Sequence, residues 1–253
     1  MIKFFRKIRY DLMGQNKTGK YLKYAVGEIV LVVIGILLAL QINNWNQERI
    51  NQKRVTNYLI NLVEDIKSDI VHYKININGY KDDLNNNKRL FINDDYKLLA
   101  ADSLLKLVNS YYHINRTSSQ TYEKIKNAGL IESLGSETTN KAVNDYYNLE
   151  IIYYINLFKW DKEYSNKDSD FWFYNETFES SSDRDYKTNA LAFLDSPDKR
   201  KNDLINLIES IQGRNHLRGA IIRKEHTLKR VQELKSVAEN LIKMINQELE
   251  KRL

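Results

Sequence analysis

Twelve consecutive residues without a polar side chain, Ile29–Leu40, constrain this chain more than any other feature of its sequence. The stretch reads IVLVVIGILLAL, and no charged residue occurs between Glu28 and Glu48. About 20 apolar residues of helix are enough to cross the hydrocarbon core of a bilayer. The residues placed like interfacial aromatic anchors are Tyr21, Tyr24 and Trp45. A buried core helix would not usually carry such flanks, so the pattern predicts a transmembrane helix over residues 24–45, in contact with the lipid bilayer.

The charge in front of this stretch predicts its orientation. Seven of the 39 basic residues lie within residues 1–23, against one acidic residue there, Asp11. The seven are Lys3, Arg6, Lys7, Arg9, Lys17, Lys20 and Lys23. The positive-inside rule then predicts a basic cytoplasmic tail over residues 1–23 and export of residues 46–253. The sequence around Ala39 fits a signal-peptidase site poorly, which favours an uncleaved signal anchor.

Composition excludes several classes of protein. The formal charge of +6 equals the excess carried by residues 1–23, so the rest of the chain is neutral and lacks the basic footprint of a nucleic-acid-binding protein. The absence of cysteine excludes disulfides, cysteine-ligated zinc or iron–sulfur centres and a thiol nucleophile. One proline and nine glycines are too few for a β-sandwich or a doubly wound α/β fold. An all-α fold is therefore expected.

Two segments carry a resemblance to a known family. FFRKIR at residues 4–9 and GKYLKYAVGEIVLVVIGILLALQINNWN at residues 19–46 resemble the N-terminal block of uncharacterised membrane proteins common in Bacteroidota, which carry only a domain-of-unknown-function label. TYEKIKNAGLIESL at residues 121–134 resembles a second, weaker element of that family. The resemblance implies a single-pass protein of the inner (cytoplasmic) membrane with a periplasmic domain, and it brings no catalytic residues.

Helical periodicity organises the exported part. Apolar residues recur every three or four positions from Val55 to Leu84, which predicts that the membrane helix continues into a long amphipathic helix ending near Gly79 or the asparagines at 85–87. Further helices are expected over 95–114 and over 137–162, with a short helix closed by Gly129 between them. A last helical segment is expected from Ser196-Pro197 to the C-terminus. Glycines at 213 and 219 mark a possible break there. The expected architecture is an exported helical bundle with a long C-terminal helix.

The first candidate functional residue is Glu28, because an ionisable side chain inside a membrane span is costly and usually has a role. Gly35 lies on the same helical face, and with Ala39 it forms a pair of small residues suited to close helix–helix contact. Three interpretations stay open: a carboxylate that reaches the headgroups or pairs with Lys23 or Lys20, an oligomer contact, and a proton-accepting site.

The second candidate is a recognition surface formed by aromatic residues. It comprises Trp160, Phe171, Trp172, Phe173 and Tyr174, with closure of the end of the bundle as the alternative. The four histidines show no metal-binding spacing, and no nucleophile-elbow or phosphate-loop motif occurs. We therefore expect no cofactor, no metal and no enzymatic activity.

These observations predict an interaction or scaffolding role for an anchored helical protein. The expected partners are a second copy of the chain or another membrane protein. A periplasmic ligand- or stress-sensing domain that acts through a partner is the alternative, and a subunit of a proton-coupled complex that uses Glu28 is a lower one.

Overall fold

A computed structural model describes residue 10 and residues 18–108, 111–180 and 192–252. Within these ranges the chain is helical and contains no β-strand, which confirms the all-α prediction. The helices are α1 (Thr18–Ile92), α2 (Ala101–Val108), α3 (Gln120–Asn127), α4 (Glu137–Asp145), α5 (Ile151–Phe173), α6 (Pro197–Glu209) and α7 (Ile211–Glu250). A π-helical turn, Tyr146–Glu150, joins α4 to α5, and 3₁₀ turns cover Asp95–Leu98 and Ile131–Ser133.

The chain divides into two units at Val55, within α1. The first unit contains the apolar stretch, whose side chains are all exposed. Its helix is long and apolar enough to cross a membrane, with a mean hydropathy of 2.5 over its most apolar window. Exposed apolar residues on every side of a helix are what a lipid-facing segment presents.

Three long helical segments form the core of the second unit. Residues 56–92 of α1 run parallel to α5, since Tyr80 bonds Asp161 while Asn76, earlier in α1, bonds Tyr154, earlier in α5. α7 runs antiparallel to α5, because Arg230 pairs with Glu150 at one end while His216 meets Asp168 at the other. The side chains packed between the segments include Leu59, Leu62, Ile66, Tyr73, Tyr146, Tyr154, Leu234, Ala238 and Ile245.

An apolar cluster closes one end of the bundle. Trp172 at the end of α5 is its largest member and packs with residues of α2, α6 and the start of α7. The cluster also contains Leu90, Tyr96, Leu104, Leu105, Val108, Phe173, Phe178, Leu204, Ile208 and Leu217. Burying so much apolar area is the main stabilising contribution available to this end of the unit.

The α1 helix continues past the residues expected to end it. Asn87 is buried, and its amide donates to the carbonyl of Leu107 at 2.7 Å, so a polar residue that would weaken an isolated helix is stabilised by a tertiary contact. Gly79 leaves room for the ring of His113, since a Cβ at this glycine would lie 2.2 Å from the His113 Cε1 atom. Tertiary packing thus overrides both local signals.

The later helix ends follow local capping rules more closely. Ser196 caps α6 by accepting a hydrogen bond from the Lys199 N–H, with Pro197 as the first helical residue, as predicted. Ser210 ends α6 and caps α7 by accepting from the Gly213 N–H, so the break falls at Ser210 and α7 is continuous through both glycines. The helix expected over 95–114 is shorter than predicted and ends at Val108.

Candidate interaction site

A stripe of exposed side chains, three aromatic and one aliphatic, runs along α5 and the turn before it. Leu149, Tyr153, Trp160 and Tyr164 recur at intervals of four, seven and four residues, which places them on one side of the helix. All four are exposed, with Trp160 at 39 % and Tyr153 at 48 %. The Trp160 and Tyr164 rings contact each other, with centroids 5.8 Å apart. Large apolar side chains rarely line up in water without a partner.

The neighbouring α7 extends this stripe into a two-helix surface. The His226 ring meets Trp160 edge-on at 6.2 Å, and the Arg230 guanidinium lies 4.6 Å from the centre of the Tyr153 ring. Beyond them on the same side of α7, Ile222 is 67 % exposed. We call this surface the α5–α7 face; it is formed by Leu149, Glu150, Tyr153, Trp160, Glu163, Tyr164, Lys167, Ile222, His226, Lys229, Arg230 and Glu233. A shallow groove of about 300 Å³ lies on it.

Charges on and beside the α5–α7 face balance. Arg230 pairs with Glu150 and with Glu233. Lys167 pairs with Glu163 at 2.7 Å and also stands over the Tyr164 ring. With Lys229 in the groove, the face carries three basic and three acidic side chains. The alternation of sign within a net neutral, aromatic surface differs from the one-signed charge that attracts phosphate or lipid headgroups.

Buried ion pairs fix α5 against α7 beneath this face. Arg223 is 4 % exposed and donates to Asp161 at 2.9 Å and to Asp168 at 2.8 Å. Asp161 also accepts from the Tyr80 hydroxyl at 2.7 Å. His216 contacts the other oxygen of Asp168 at 2.8 Å. A guanidinium satisfied by two carboxylates in a buried site holds both helices in one register.

A second ion pair, between a buried lysine and a partly buried aspartate, connects α7 to α1. The Lys224 ammonium is fully buried and donates to Asp83 at 2.6 Å, and His113 contacts the same Asp83 oxygen at 3.0 Å. Burial lowers the pKa of Lys224 despite this pairing. Burial alone would raise the pKa of Asp83, but the hydrogen bonds from His113 and Lys224 bring that pKa below its usual value. Ion pairs beneath the α5–α7 face therefore fix α7 against both α5 and α1.

A cluster of tyrosines surrounds a buried carboxylate near the π-helical turn. Asp69 of α1 accepts from the Ser118 N–H at 2.8 Å and from the Tyr146 hydroxyl at 3.1 Å, and Tyr146 contacts the Tyr73 hydroxyl. Burial raises the pKa of Asp69 to about 7, since those two hydrogen bonds only partly offset the loss of solvent and Asp65 adds repulsion. π-Helical turns are frequent at functional positions, and this one points both Tyr146 and Tyr147 inward.

The residues of the predicted recognition surface separate into buried and exposed groups. Trp172 and Phe173 belong to the apolar cluster at the end of the bundle. Phe171 packs against that cluster and stacks on the His216 ring at 4.1 Å. Tyr174 is 74 % exposed at the end of α5, and Trp160 lies on the α5–α7 face. Sequence reasoning missed the α7 half of that face. The available sequence signal was the apolar side chain of Ile222, which the structure leaves exposed.

The predicted membrane residues lie in the first unit. Gly35 and Ala39 are exposed, and a Cβ at Gly35 would meet nothing within 4 Å. Tyr24 and Trp45 are exposed, and Glu28 is half-buried. Lys3, Arg6, Lys7, Arg9 and Lys17 lie outside the described residues, as do the side chains of Lys20 and Tyr21. Lys23 is exposed.

The part of the chain that the structure describes holds no group of three or more His, Asp or Glu side chains placed to bind a metal ion. A second open groove, of about 330 Å³, lies between the end of α1 and Arg214, with Tyr96 and Glu209 among its lining residues. Polar side chains that line this groove are already paired within the chain, as Glu209 is with Lys97. The aromatic α5–α7 face is thus the stronger candidate for recognition.

Comparison with known proteins places the chain in a family but not in a functional class. No curated protein and no solved structure matches it. A family model described as a family of unknown function (DUF6090) matches residues 28–216, which include the apolar stretch and most of the helical unit. This match covers about three quarters of the 253 residues. The chain therefore belongs to the DUF6090 family of unknown function.

Proposed function

We propose that this protein is a single-pass membrane protein whose helical unit binds another protein through the α5–α7 face. Residues 1–23 lie in the cytoplasm, the helix over 24–45 anchors the chain in the inner membrane, and the helical unit lies in the periplasm. Its role is interaction or scaffolding rather than catalysis. The observation that carries this proposal is the exposed, aligned set of Leu149, Tyr153, Trp160 and Tyr164.

The energetic argument starts from exposed area. Tyr and Trp are enriched among the residues that contribute most to protein–protein binding, because each buries a large apolar area with few rotatable bonds. Trp160 contacts His226, and Tyr153 lies beside Arg230, the third residue type enriched at such positions. The Arg223 pairs hold α7 against α5, and the Lys224 pair holds α7 against α1, before binding, so little conformational freedom is lost on association.

In-cell photocrosslinking tests this proposal. A photoreactive residue at position 156, one turn from both Tyr153 and Trp160, is expected to give a covalent protein adduct in the membranes of growing cells. The same residue at position 202, on exposed Asn202 of α6, serves as the control. Trp160→Ala is expected to reduce the adduct at 156 at least tenfold, whereas Tyr174→Ala, which removes an exposed aromatic ring off the face, leaves it unchanged. Equal adducts at 156 and 202 would contradict the proposal.

Topology needs a separate measurement. Alkaline phosphatase, which becomes active only after export, is fused after Leu253. We expect activity in the intact cell and its loss when the basic residues at 3, 6, 7 and 9 are replaced by Glu, since the positive-inside rule then no longer favours this orientation. A fusion that is inactive despite stable expression would place the helical unit on the cytoplasmic side.

Sensing stays as a second candidate because of Asp69. This carboxylate joins α1 to Tyr146 and to the segment before α3, and its pKa of about 7 makes its charge respond to pH in the neutral range. Under this candidate, the signal is a change in the stability of the helical unit that a bound partner detects. Adduct yield at position 156 that changes with external pH, and no longer does so in Asp69→Asn, would favour sensing over constitutive scaffolding.

A further inference from the structure

From the charge pattern of the α5–α7 face, we infer that its partner is a second copy of the same chain, in an isologous two-fold pair. This inference rests on the proposed function and names the partner of that surface. In a two-fold interface the same surface meets itself, so each group contacts its own kind or another member of the same set. A charged surface that meets itself in this way needs charges of both signs, because a surface with charges of one sign repels its copy.

The α5–α7 face meets this requirement. Its acidic side chains are Glu150, Glu163 and Glu233, and its basic ones are Lys167, Lys229 and Arg230. A separate acidic or basic protein would select for a net charge opposite to its own, and the face has none. The aromatic residues lie between the charged groups, so Trp160 and Tyr153 of one copy can meet those of the other while the charges pair around them.

The dimensions of the face indicate a pair that depends on the membrane anchor. Fifteen residues separate Leu149 from Tyr164, which corresponds to about 22 Å of helix at about 1.5 Å per residue. Two adjacent helices are about 20 Å wide. The footprint is then about 440 Å² per copy, roughly half of the ~800 Å² per partner typical of a stable interface. Copies anchored in one membrane share a high effective concentration, which compensates for a small contact area.

The absence of cysteine allows a direct test, since a single introduced thiol is the only one in the chain. Full-length Asn156→Cys is placed in vesicles of phosphatidylethanolamine and phosphatidylglycerol and treated with a short bis-maleimide. We expect a covalent dimer of twice the chain mass of 29.9 kDa. Asn202→Cys, which places the thiol at an exposed position of α6, is the matched control. Its cross-linked fraction is expected to be at least tenfold lower.

Charge reversal tests the self-complementarity itself. In the Asn156→Cys background, Lys229→Glu makes the face net negative and Glu233→Lys makes it net positive, and both positions line the groove. We expect each variant to cross-link with itself several-fold less than the parent. A mixture of the two, with different tags, is expected to form the mixed dimer in preference to either self-dimer.

The results separate this inference from the proposed function. No dimer through position 156 in vesicles, together with an adduct to a different protein at position 156 in cells, overturns the second copy while the interaction role stands. No adduct in either setting overturns both. Equal dimers through 156 and 202, or mixed charge variants that pair no better than each with itself, would show association elsewhere on the chain and overturn the inference.

Discussion

Replacing Asp69 by Asn should remove most of the pH dependence of stability of the helical unit between pH 4 and pH 7. Asp69 is 1 % exposed, and the groups that offset its loss of solvent are two hydrogen-bond donors, the Ser118 N–H and the Tyr146 hydroxyl. Its folded-state pKa of about 7 lies above the ordinary value of 3.8. The folded state therefore binds the proton more tightly than the unfolded state, and the free energy of unfolding falls as pH rises through this window.

The size of the effect follows from the difference in pKa. Each pKa unit corresponds to about 1.4 kcal/mol, so about three units give an upper limit of about 4 kcal/mol. Asn keeps an oxygen for the Ser118 N–H and an amide that can donate to the Tyr146 hydroxyl, but it cannot ionise. The difference in unfolding free energy, Asn variant minus parent, is expected to rise by about 2 to 4 kcal/mol between pH 4 and pH 8.

Urea unfolding of the full-length protein in detergent measures this difference. The fluorescence of buried Trp172 reports on the helical unit when Trp45 and Trp160 are replaced by Phe. Asp82→Asn, which removes an exposed carboxylate from the same helix, is the matched control and should give a difference that does not vary with pH. A constant difference for Asp69→Asn across the same range would refute the assignment of a raised pKa to this buried carboxylate.

Three further predictions use the same unfolding assay. Gly79→Ala forces a Cβ into the His113 ring and should destabilise the unit by about 2 kcal/mol, whereas Gly219→Ala, with nothing within 4 Å, should stabilise it by up to about 1 kcal/mol; equal effects would contradict the close approach at Gly79. Glu248 accepts hydrogen bonds from the Ser136 N–H and from Thr139, and the Ser136 N–H foremost lowers its pKa to about 2. Its contribution is thus present above about pH 4.5 and lost as pH falls through 2, so Glu248→Gln should be less stable than the parent at pH 7 and equal to it near pH 2. Lys224→Met leaves the partly buried Asp83 without its ammonium partner and should cost about 3 kcal/mol, most of which the double variant with Asp83→Asn should recover; no recovery would mean that the lysine acts through packing alone.

The helical architecture and several helix ends could be predicted because their causes are local. Ser196 followed by Pro197 combines a capping side chain with a fixed φ, and both act within one turn of chain. The apolar stretch at 29–40 is similarly self-contained. Asn87, in contrast, was expected to weaken α1, and its stabilising partner is the Leu107 carbonyl, 20 residues away. The sequence around Asn87 does not predict that contact.

The candidate site was predictable only in part for the same reason. Trp160 was identified from its side chain alone, but its neighbour His226 comes from a helix more than 60 residues later, as does Arg230, the neighbour of Tyr153. Asp161 and Arg223 look like surface charges in the sequence, and their burial depends on the register between α5 and α7. Trp172 lies on the buried side of α5. A run of aromatic residues in a sequence does not by itself show which of them are buried and which are exposed.

The π-helical turn at 146–150 has a consequence for how this sequence can change over time. The Ile151 N–H bonds the Tyr146 carbonyl five residues back, which accommodates one residue more than a regular helical turn. An added residue turns everything that follows by about 100° around the axis. Insertions or deletions at this turn would rotate the aromatic stripe of α5 while α4 stays bonded to Glu248. Relatives that differ in length at this point are therefore expected to expose different side chains of α5 from the same bundle.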